Sequence, residues 1–400
     1  MAYELMLIPF SGGVNEASLF ELIEDRVAVF YGSLAYPELT RAEVCAGSSV
    51  LMKVSKDHGR TWSDAAPLCT KTGEEIRGYR VSPFRLKSGA IGIMFTGPMS
   101  RTGRDGALYF SKSLDEGQTW SAGVPVDPFA VLRNGCTRVL RSGRIVAPIF
   151  KWISNVAPHD SELEKNNLCF TWISYSDDEG ENWNRSLSEL VVIKNEGCGG
   201  TYHFEEPVLE ELKQDNRVLM YGRTELGRHY LSISEDGGIV WSTPQPGPLA
   251  AAYTPTLLRR IPKTDDLLII WNQATPEEMF SGLSRHRLTA AISKDDGGSW
   301  KHFRNLESLN NVAQIDPPPI APLQVYRRQS NATFGNWRDY FQAPEDKKRY
   351  PHAPGPLRIC YPDVAFLGDD VLVAYDYSDN EAKRFSTKLR VLPLDWFYQS

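Results

Sequence analysis

No stretch of this 400-residue chain is apolar for the roughly 20 residues that a membrane-crossing helix needs. That excludes a helical membrane protein and leaves no membrane partner to expect. Cysteine is scarce, with six residues in all: Cys45, Cys69, Cys136, Cys169, Cys198 and Cys360. None forms a C-x-x-C pair or a Cys/His ligand spacing, so no metal and no other cofactor is expected. Scattered single thiols fit reduced, buried cysteines of a cytoplasmic protein. The start, "MAYELMLIPFSGG", lacks a basic end followed by an apolar core; a secretory leader is not expected either. An excess of positive charge is absent too. The net charge is −6, which argues against a nucleic-acid surface. Helical periodicity is almost missing; only 160–166, "DSELEKN", reads as a polar loop or one helical turn.

What is present is a repeat. "SKDHGRTW" at 55–62 returns as "SLDEGQTW" at 113–120, "SDDEGENW" at 176–183, "SEDGGIVW" at 234–241 and "SKDDGGSW" at 293–300. The copies lie about 60 residues apart, so one supersecondary unit is written five times. Within the motif the Gly permits a left-handed turn. The Ser and Asp side chains can bond the turn's own backbone N–H groups. The Trp is expected to fold back between neighbouring sheets, where its large apolar area stabilises the unit. The motif therefore describes a scaffold and carries no chemistry.

The unit reads as β. Runs such as "GALYFSKS", "CFTWISYS" and "RHYLSIS" precede the motifs, and "AIGIMFTG", "GRIVAPIF", "RVLMYGR" and "DLLIIWNQ" lie upstream, each after a turn signal. Four short strands in about sixty residues describe one propeller blade. The prediction is an all-β, six-bladed β-propeller with five Asp-box motifs, formed as one domain over residues 1–400. The sixth blade falls after 340, in "RICYPDVAFLGDDVLVAYDYS" and "STKLRVLPLDW". Its missing strand is expected from the N-terminus, either "YELMLIPF" or "NEASLFELI", which would close the ring and remove exposed sheet edges. Residues 301–358 are expected to form a long loop insertion. In it Trp337, Tyr340 and Phe341 could make a lid or sugar-stacking surface, or equally seal an edge.

Five such motifs, spread over about residues 15–390, resemble the Asp-box (BNR) repeats of the sialidase superfamily. The segments "FEEPVLEELKQDNRVLMYGRT" (204–224), "SRHRLTAAISKDDGGSW" (284–300) and "CYPDVAFLGDDVLVAYDY" (360–377) resemble site-bearing segments of that superfamily. "NGCTRVLRSGRIVAP" (134–148) is similar to its sialidase-like branch. The resemblance implies Tyr361 as nucleophile, Glu206 as the base that polarises it, and Arg223 and Arg285 as two of three arginines that grip a substrate carboxylate. Arg287 is an alternative to Arg285. A Tyr nucleophile sets sialidases apart from glycosidases that use two carboxylates. A neutral phenol is not repelled by an anionic sugar, but with a pKa near ~10 it needs an adjacent base.

Two positions depart from that pattern. The region expected to carry the first arginine reads "NEASLFEL" (15–22), with Asn15 and Glu16 and no Arg. The loop at 32–49 has no Asp; Glu38 and Glu43 are its only acids and so the candidates for general acid. Arg41, Arg80 or Arg138 could replace the lost arginine. His203 is a candidate proton donor or substrate contact. Glu205 and Glu206 are neighbours on a strand start, so alternation should aim only one of them at the centre. Arg104 and Asp105 read as turn residues.

Each residue also has a plainer reading: Tyr361 as a strand aromatic, the Glu pair as rim acids, Arg223 as half of a structural ion pair, His203 as a loop residue. The implied function is a sialidase-like, exo-acting glycoside hydrolase, Tyr/Glu-assisted, on an acidic or oxygen-rich sugar. The partner would be a carbohydrate or glycoconjugate. Alternatives are a polysaccharide lyase on the same propeller, using Tyr361 or His203 as base, and a non-catalytic glycan-binding propeller.

Overall fold

A computed structural model describes residues 2–11, 15–32, 48–97, 107–153, 168–193, 201–280, 283–320, 356–379 and 385–399. Six antiparallel sheets of four or five strands form the blades among the described residues, and a seventh, two-stranded sheet pairs Val192–Ile193 with Thr201–Tyr202 between blades 3 and 4. Blade 1 comprises Ser18–Glu21, Val27–Gly32, Val50–Ser55 and Ala66–Pro67. Blade 2 comprises Tyr79–Arg85, Ile91–Thr96, Leu108–Ser113 and Val124–Asp127. In blade 3 the first strand is split, Val131–Leu132 and Arg138–Val139 both pairing with Ile145–Ile153; Leu168–Ser176 and Asn184–Arg185 complete it. Blade 4 comprises Glu205–Glu211, Val218–Arg223, Arg228–Ser234 and Gln245–Ala250. Blade 5 comprises Leu257–Arg260, Leu267–Asn272, Leu288–Ser293 and Lys301–Glu307.

Blade 6 is built from both ends of the described chain. Pro356–Leu367, Asp370–Asp379 and Phe385–Pro393 are joined on the outside by Tyr3–Ser11, with Tyr3 opposite Val391 and Leu5 opposite Leu389. Of the two N-terminal candidates, the first therefore closes the ring and the second opens blade 1. The first strands of blades 1 and 6 also contact each other directly, as do those of blades 1 and 2. The strand Lys301–Glu307 shortens the expected insertion, which begins after Glu307. Its burial is weak apart from Leu306, which is why no strand signal was visible there. Trp337, Tyr340 and Phe341, and the expected turn at 160–166, lie outside the described residues. Among the described residues the helices are a short α-helix, Pro276–Phe280, and a 3-10 helix, Leu394–Tyr398.

All five Asp-box turns share the Ser-to-Asp and Gly-to-Ser hydrogen bonds, and all but the fourth, with Val240, add a side-chain donor to the Asp. In the second, Ser113 donates to Asp115 Oδ1 (2.7 Å), Gly117 N–H donates to Ser113 Oγ (2.8 Å), and Thr119 donates to Asp115 through both N–H and hydroxyl (2.8 and 2.6 Å). These donors hold the motif's acid ionised. The carboxyls of Asp57 and Asp295 fall to about 2. Four of the Trp residues donate their indole N–H to the motif's own Gly carbonyl. Trp300 instead bonds the Tyr221 hydroxyl of blade 4.

Each turn wedges against the preceding blade. A Cβ on Gly180 would lie 2.2 Å from the Phe110 ring of blade 2, and one on Gly59 would lie 2.9 Å from Leu372 of blade 6. Both glycines have positive φ, 88° and 84°, so a side chain is excluded twice. Trp120 packs edge-to-face on Phe30 of blade 1, and Trp183 lies against Phe110. The cores therefore run between blades, with Trp120 only 2% exposed.

Trp120→Ala removes a packed indole between blades 1 and 2 and should cost about 3–5 kcal/mol. Gly180→Ala should also destabilise, through the Phe110 clash. Chemical denaturation checks both, and a ligand-binding or activity assay below the melting temperature should find the site intact.

Candidate active site

The first strands of the blades carry an unusual backbone feature. Glu16, Arg80, Glu206 and Tyr361 all have left-handed φ, at 48°, 52°, 44° and 53°. These values are uncommon for residues other than Gly and cost about 1–3 kcal/mol each. Three of them coincide with register breaks against the second strand: Tyr79/Ser82, Glu205/Val208 and Cys360/Asp363. A bulge of this kind re-aims a side chain out of the regular alternation. Here four blades each turn one polar side chain to a common place. The third blade has Gly135 there, also left-handed at 58°; a Cβ on it would lie 2.5 Å from the Asp363 carboxylate.

Tyr361 donates its phenolic O–H to Glu206 Oε1 at 3.0 Å. The other carboxylate oxygen, Oε2, is 2.6 Å from Arg223 Nη1. Arg80 Nη2 is 3.4 Å from Glu206 Oε1, and Arg80 Nε is 2.7 Å from Glu16 Oε2. Glu205 holds Arg223 from its other side, at 2.9 Å from Nη2 and 3.0 Å from Nε. Arg285 donates to Cys360 Sγ at 3.2 Å and lies 5.8 Å from the Tyr361 ring centre. All but Arg285 are buried; Arg285 is partly exposed.

The electrostatics follow from this packing. Burial pushes the Glu206 carboxyl up, but Arg223, Arg80, Arg285 and the Tyr361 hydrogen bond outweigh it and hold it below its usual value. Glu206 is therefore an anion, and it accepts the phenolic hydrogen bond. Burial, then Glu206 and Glu16, drive the Tyr361 phenol far above its usual value, against the pull of Arg80 and Arg223. Tyr361 therefore rests as a neutral phenol that donates its proton in a hydrogen bond to Glu206. Burial raises the Cys360 thiol to about 12, so that sulfur is no competing nucleophile.

The bulge at Glu206 alters one expectation. Only one of the adjacent acids reaches Tyr361, as alternation requires, yet both Glu205 and Glu206 bind Arg223 because the register is broken between them. Arg287, the alternative to Arg285, serves elsewhere: it forms a two-pronged pair with Glu278 at 2.9 and 2.8 Å and also bonds Asn310.

Arg138 is not brought to the site. Its Nε is 3.0 Å from Glu210 and its Nη2 donates to the Leu258 carbonyl at 2.9 Å, tying blade 3 to blades 4 and 5. It follows the bulge by three residues and so lies farther along the strand. His203 stands one residue removed: its Nδ1 is 3.2 Å from the Tyr253 hydroxyl, and the Tyr253 ring lies 4.4 Å from the Arg223 guanidinium. Glu38, Arg41, Glu43, Arg104 and Asp105 lie outside the described residues.

Two participants escaped sequence reasoning. Asp376 accepts the Glu16 backbone N–H at 3.1 Å and the Thr387 hydroxyl at 3.2 Å, and so fixes the Glu16 bulge. Its place in the Tyr-acid pair of "YDY" was the available signal. Tyr253, under Arg223, had none.

Comparison with known proteins agrees with the fold. Residues 83–353 match the family model described as BNR repeat-like domain, and the chain belongs to that family. A protein of unknown function from Dyadobacter fermentans is similar in structure, at 14% identity, covering 98% of this chain and 99% of its own, with a TM-score of 0.62. A Hadza microbial sialidase matches at 15% identity and a TM-score of 0.62, covering 99% of this chain and 69% of that one. The Trypanosoma rangeli sialidase matches at 13% identity and 0.59; this chain spans about three fifths of its length. The protein is thus a sialidase-like BNR propeller, and at these identities the likeness concerns fold alone.

The buried Asp376 carboxyl is raised to about 7 by burial, with Glu16 adding to the rise. An acid whose folded value exceeds its unfolded value, near ~4, loses stability as pH climbs between the two. Asp376→Asn should therefore flatten the fall in unfolding free energy between pH 4 and 7, measured by urea unfolding across that range.

Proposed function

We propose that this chain is a glycoside hydrolase in which Tyr361 is the nucleophile and Glu206 its base. The observation that carries the reading is the 3.0 Å hydrogen bond from a buried, neutral phenol to a carboxylate held ionised by Arg223 and Arg80. A structural tyrosine needs no such base. Bringing it to Glu206 has required a left-handed backbone on both residues, and strain of this kind gathers at functional sites.

The phenolic oxygen attacks the anomeric carbon while its proton passes to Glu206. The bond to the leaving oxygen breaks, and that oxygen takes a proton from a general acid, for which the sequence offers Glu38 or Glu43. Water then attacks the anomeric carbon of the tyrosyl glycoside. Glu206 returns its proton to the departing phenolate, and the water's proton goes to the deprotonated general acid, which restores both groups. Arg223 stays fixed by Glu205 throughout, so the base keeps its position as its charge changes. Tyr253 lies against the Arg223 guanidinium, and His203 bonds Tyr253.

Tyr361→Phe deletes one oxygen from a packed ring and should leave the melting temperature nearly unchanged. Turnover of a cleavable glycoside should fall by about 10³-fold or more. Glu206→Gln should lose most turnover and leave ground-state binding largely intact. Near-normal turnover in Tyr361→Phe would exclude this mechanism. A product absorbing in the near ultraviolet would mark an unsaturated sugar and identify a lyase instead.

A further inference from the structure

The position where the resemblance implies the first carboxylate-gripping arginine carries Glu16, and the structure gives that glutamate a defined task. Its backbone is left-handed at 48° and pinned by the Asp376 carboxylate. Next to it, Asn15 donates to Thr387 Oγ1 at 2.9 Å, and Thr387 in turn bonds Asp376. Glu16 is 4% exposed and meets Arg80 at 2.7 Å through Nε and 3.3 Å through Nη2. This is a built contact between two buried charges from two blades.

The charges around Tyr361 can be counted by name. Arg80 is neutralised by Glu16 and leans on Glu206. Arg223 is neutralised by Glu205 and Glu206. Arg285 is the third guanidinium, and among the described residues it has no carboxylate partner. Within this set three cations meet three anions before any substrate enters; beside it Arg133 donates to the Asn134 and Pro362 carbonyls, and Arg259 pairs with Asp363 at 3.0 Å. A sugar carboxylate would bring a fourth anion into a buried space, where an unpaired charge is strongly penalised. A sugar hydroxyl brings none. It can donate to Glu16, and it can accept from Arg80 Nη1, a buried N–H group with no hydrogen-bond partner among the described residues.

Resting on the glycosidase reading above, we propose that the site takes a neutral, hydroxyl-rich glycoside, and that the Glu16–Arg80 pair is the element that excludes a sugar carboxylate. A neutral phenol as nucleophile remains necessary in such a site. Glu206 already bonds Tyr361 at 3.0 Å, so a carboxylate in its place would be an anion in direct contact with another. The discrimination is of the kind built from a repulsive element as much as from an attractive one.

The test uses the full chain and a panel of 4-methylumbelliferyl glycosides. The acidic members are the α-N-acetylneuraminide and the β-glucuronide; the neutral members are hexosides and 6-deoxyhexosides in both anomeric forms. The expected result is turnover confined to neutral members, lost in Tyr361→Phe. Glu16→Gln should lower kcat/KM on the neutral substrate at least tenfold. The same change frees Arg80, so it should tighten binding of free N-acetylneuraminic acid or glucuronic acid, read by calorimetry, at least tenfold over wild type. The wild-type panel needs no variant and decides the matter if Glu16→Gln folds poorly. Turnover of an acidic member above every neutral one, lost in Tyr361→Phe, would overturn the neutral-substrate inference while leaving the Tyr361 mechanism standing. Turnover of a neutral member that persists in Tyr361→Phe would end the mechanism and leave the charge exclusion supported.

Discussion

The Glu206 carboxylate is the point on which this site turns. It is buried, and an isolated buried carboxylate would take up a proton rather than stay charged. Arg223 and Arg80 prevent that, and they come from different blades. Tyr361, the group that Glu206 would deprotonate, comes from a third. No single blade can assemble the set. The relative placement of blades 2, 4 and 6 therefore fixes whether Glu206 is an anion, and so whether it can act as a base. Removing either arginine would do more than delete a contact, because it would change the protonation state of the residue left behind.

That placement rests on the repeated turns. Every Asp-box glycine is seated against the preceding blade, and the apolar cores lie between sheets more than within them. The ring can then hold its inner strands in energetically poor conformations. Four residues other than glycine with φ between 44° and 53° would be hard to keep in a small or loosely packed protein. The backbone strain sits at the inner edge, and the packing that offsets it sits farther out. Closure of blade 6 by Tyr3–Ser11 completes this arrangement, since an open ring could let Tyr361 drift from Glu206.

The scaffold was legible because its signature is local. Ser, Asp, Gly and Trp at fixed spacing specify a turn whose hydrogen bonds nearly all close within eight residues, so five copies read plainly from the chain. The convergence of Tyr361, Glu206, Arg223 and Arg285 was legible only through resemblance. Nothing local in "CYP" or "FEEP" announces a left-handed bulge, because the bulge is held by partners more than a hundred residues away. Arg138 illustrates the failure in the other direction. An arginine near the start of an inner strand looks like a site residue, but the bulge in that blade falls on Gly135, and Arg138 follows it into an inter-blade tie. The role of Glu16 was hidden for the same reason: its partner Arg80 is on the next blade, and its anchor Asp376 is at the far end of the sequence.

If the proposal for Glu16 holds, a shared propeller would change its chemistry there without changing its shape. Replacing a cation by an anion at one inner-strand position reverses the local field. The fold tolerates the reversal because Arg80, on the neighbouring inner strand, supplies the compensating charge. The two residues have to be exchanged together: Glu16 without Arg80 would be a buried, unpaired carboxylate beside Glu206, and Arg80 without Glu16 would be a free cation inviting an anionic ligand. The backbone geometry that aims both side chains is the same left-handed bulge, and it is indifferent to which charge it presents. On the proposal made above, specificity in such a ring would be set by the pairing of charges between adjacent blades, while the Tyr361–Glu206 couple stays as it is.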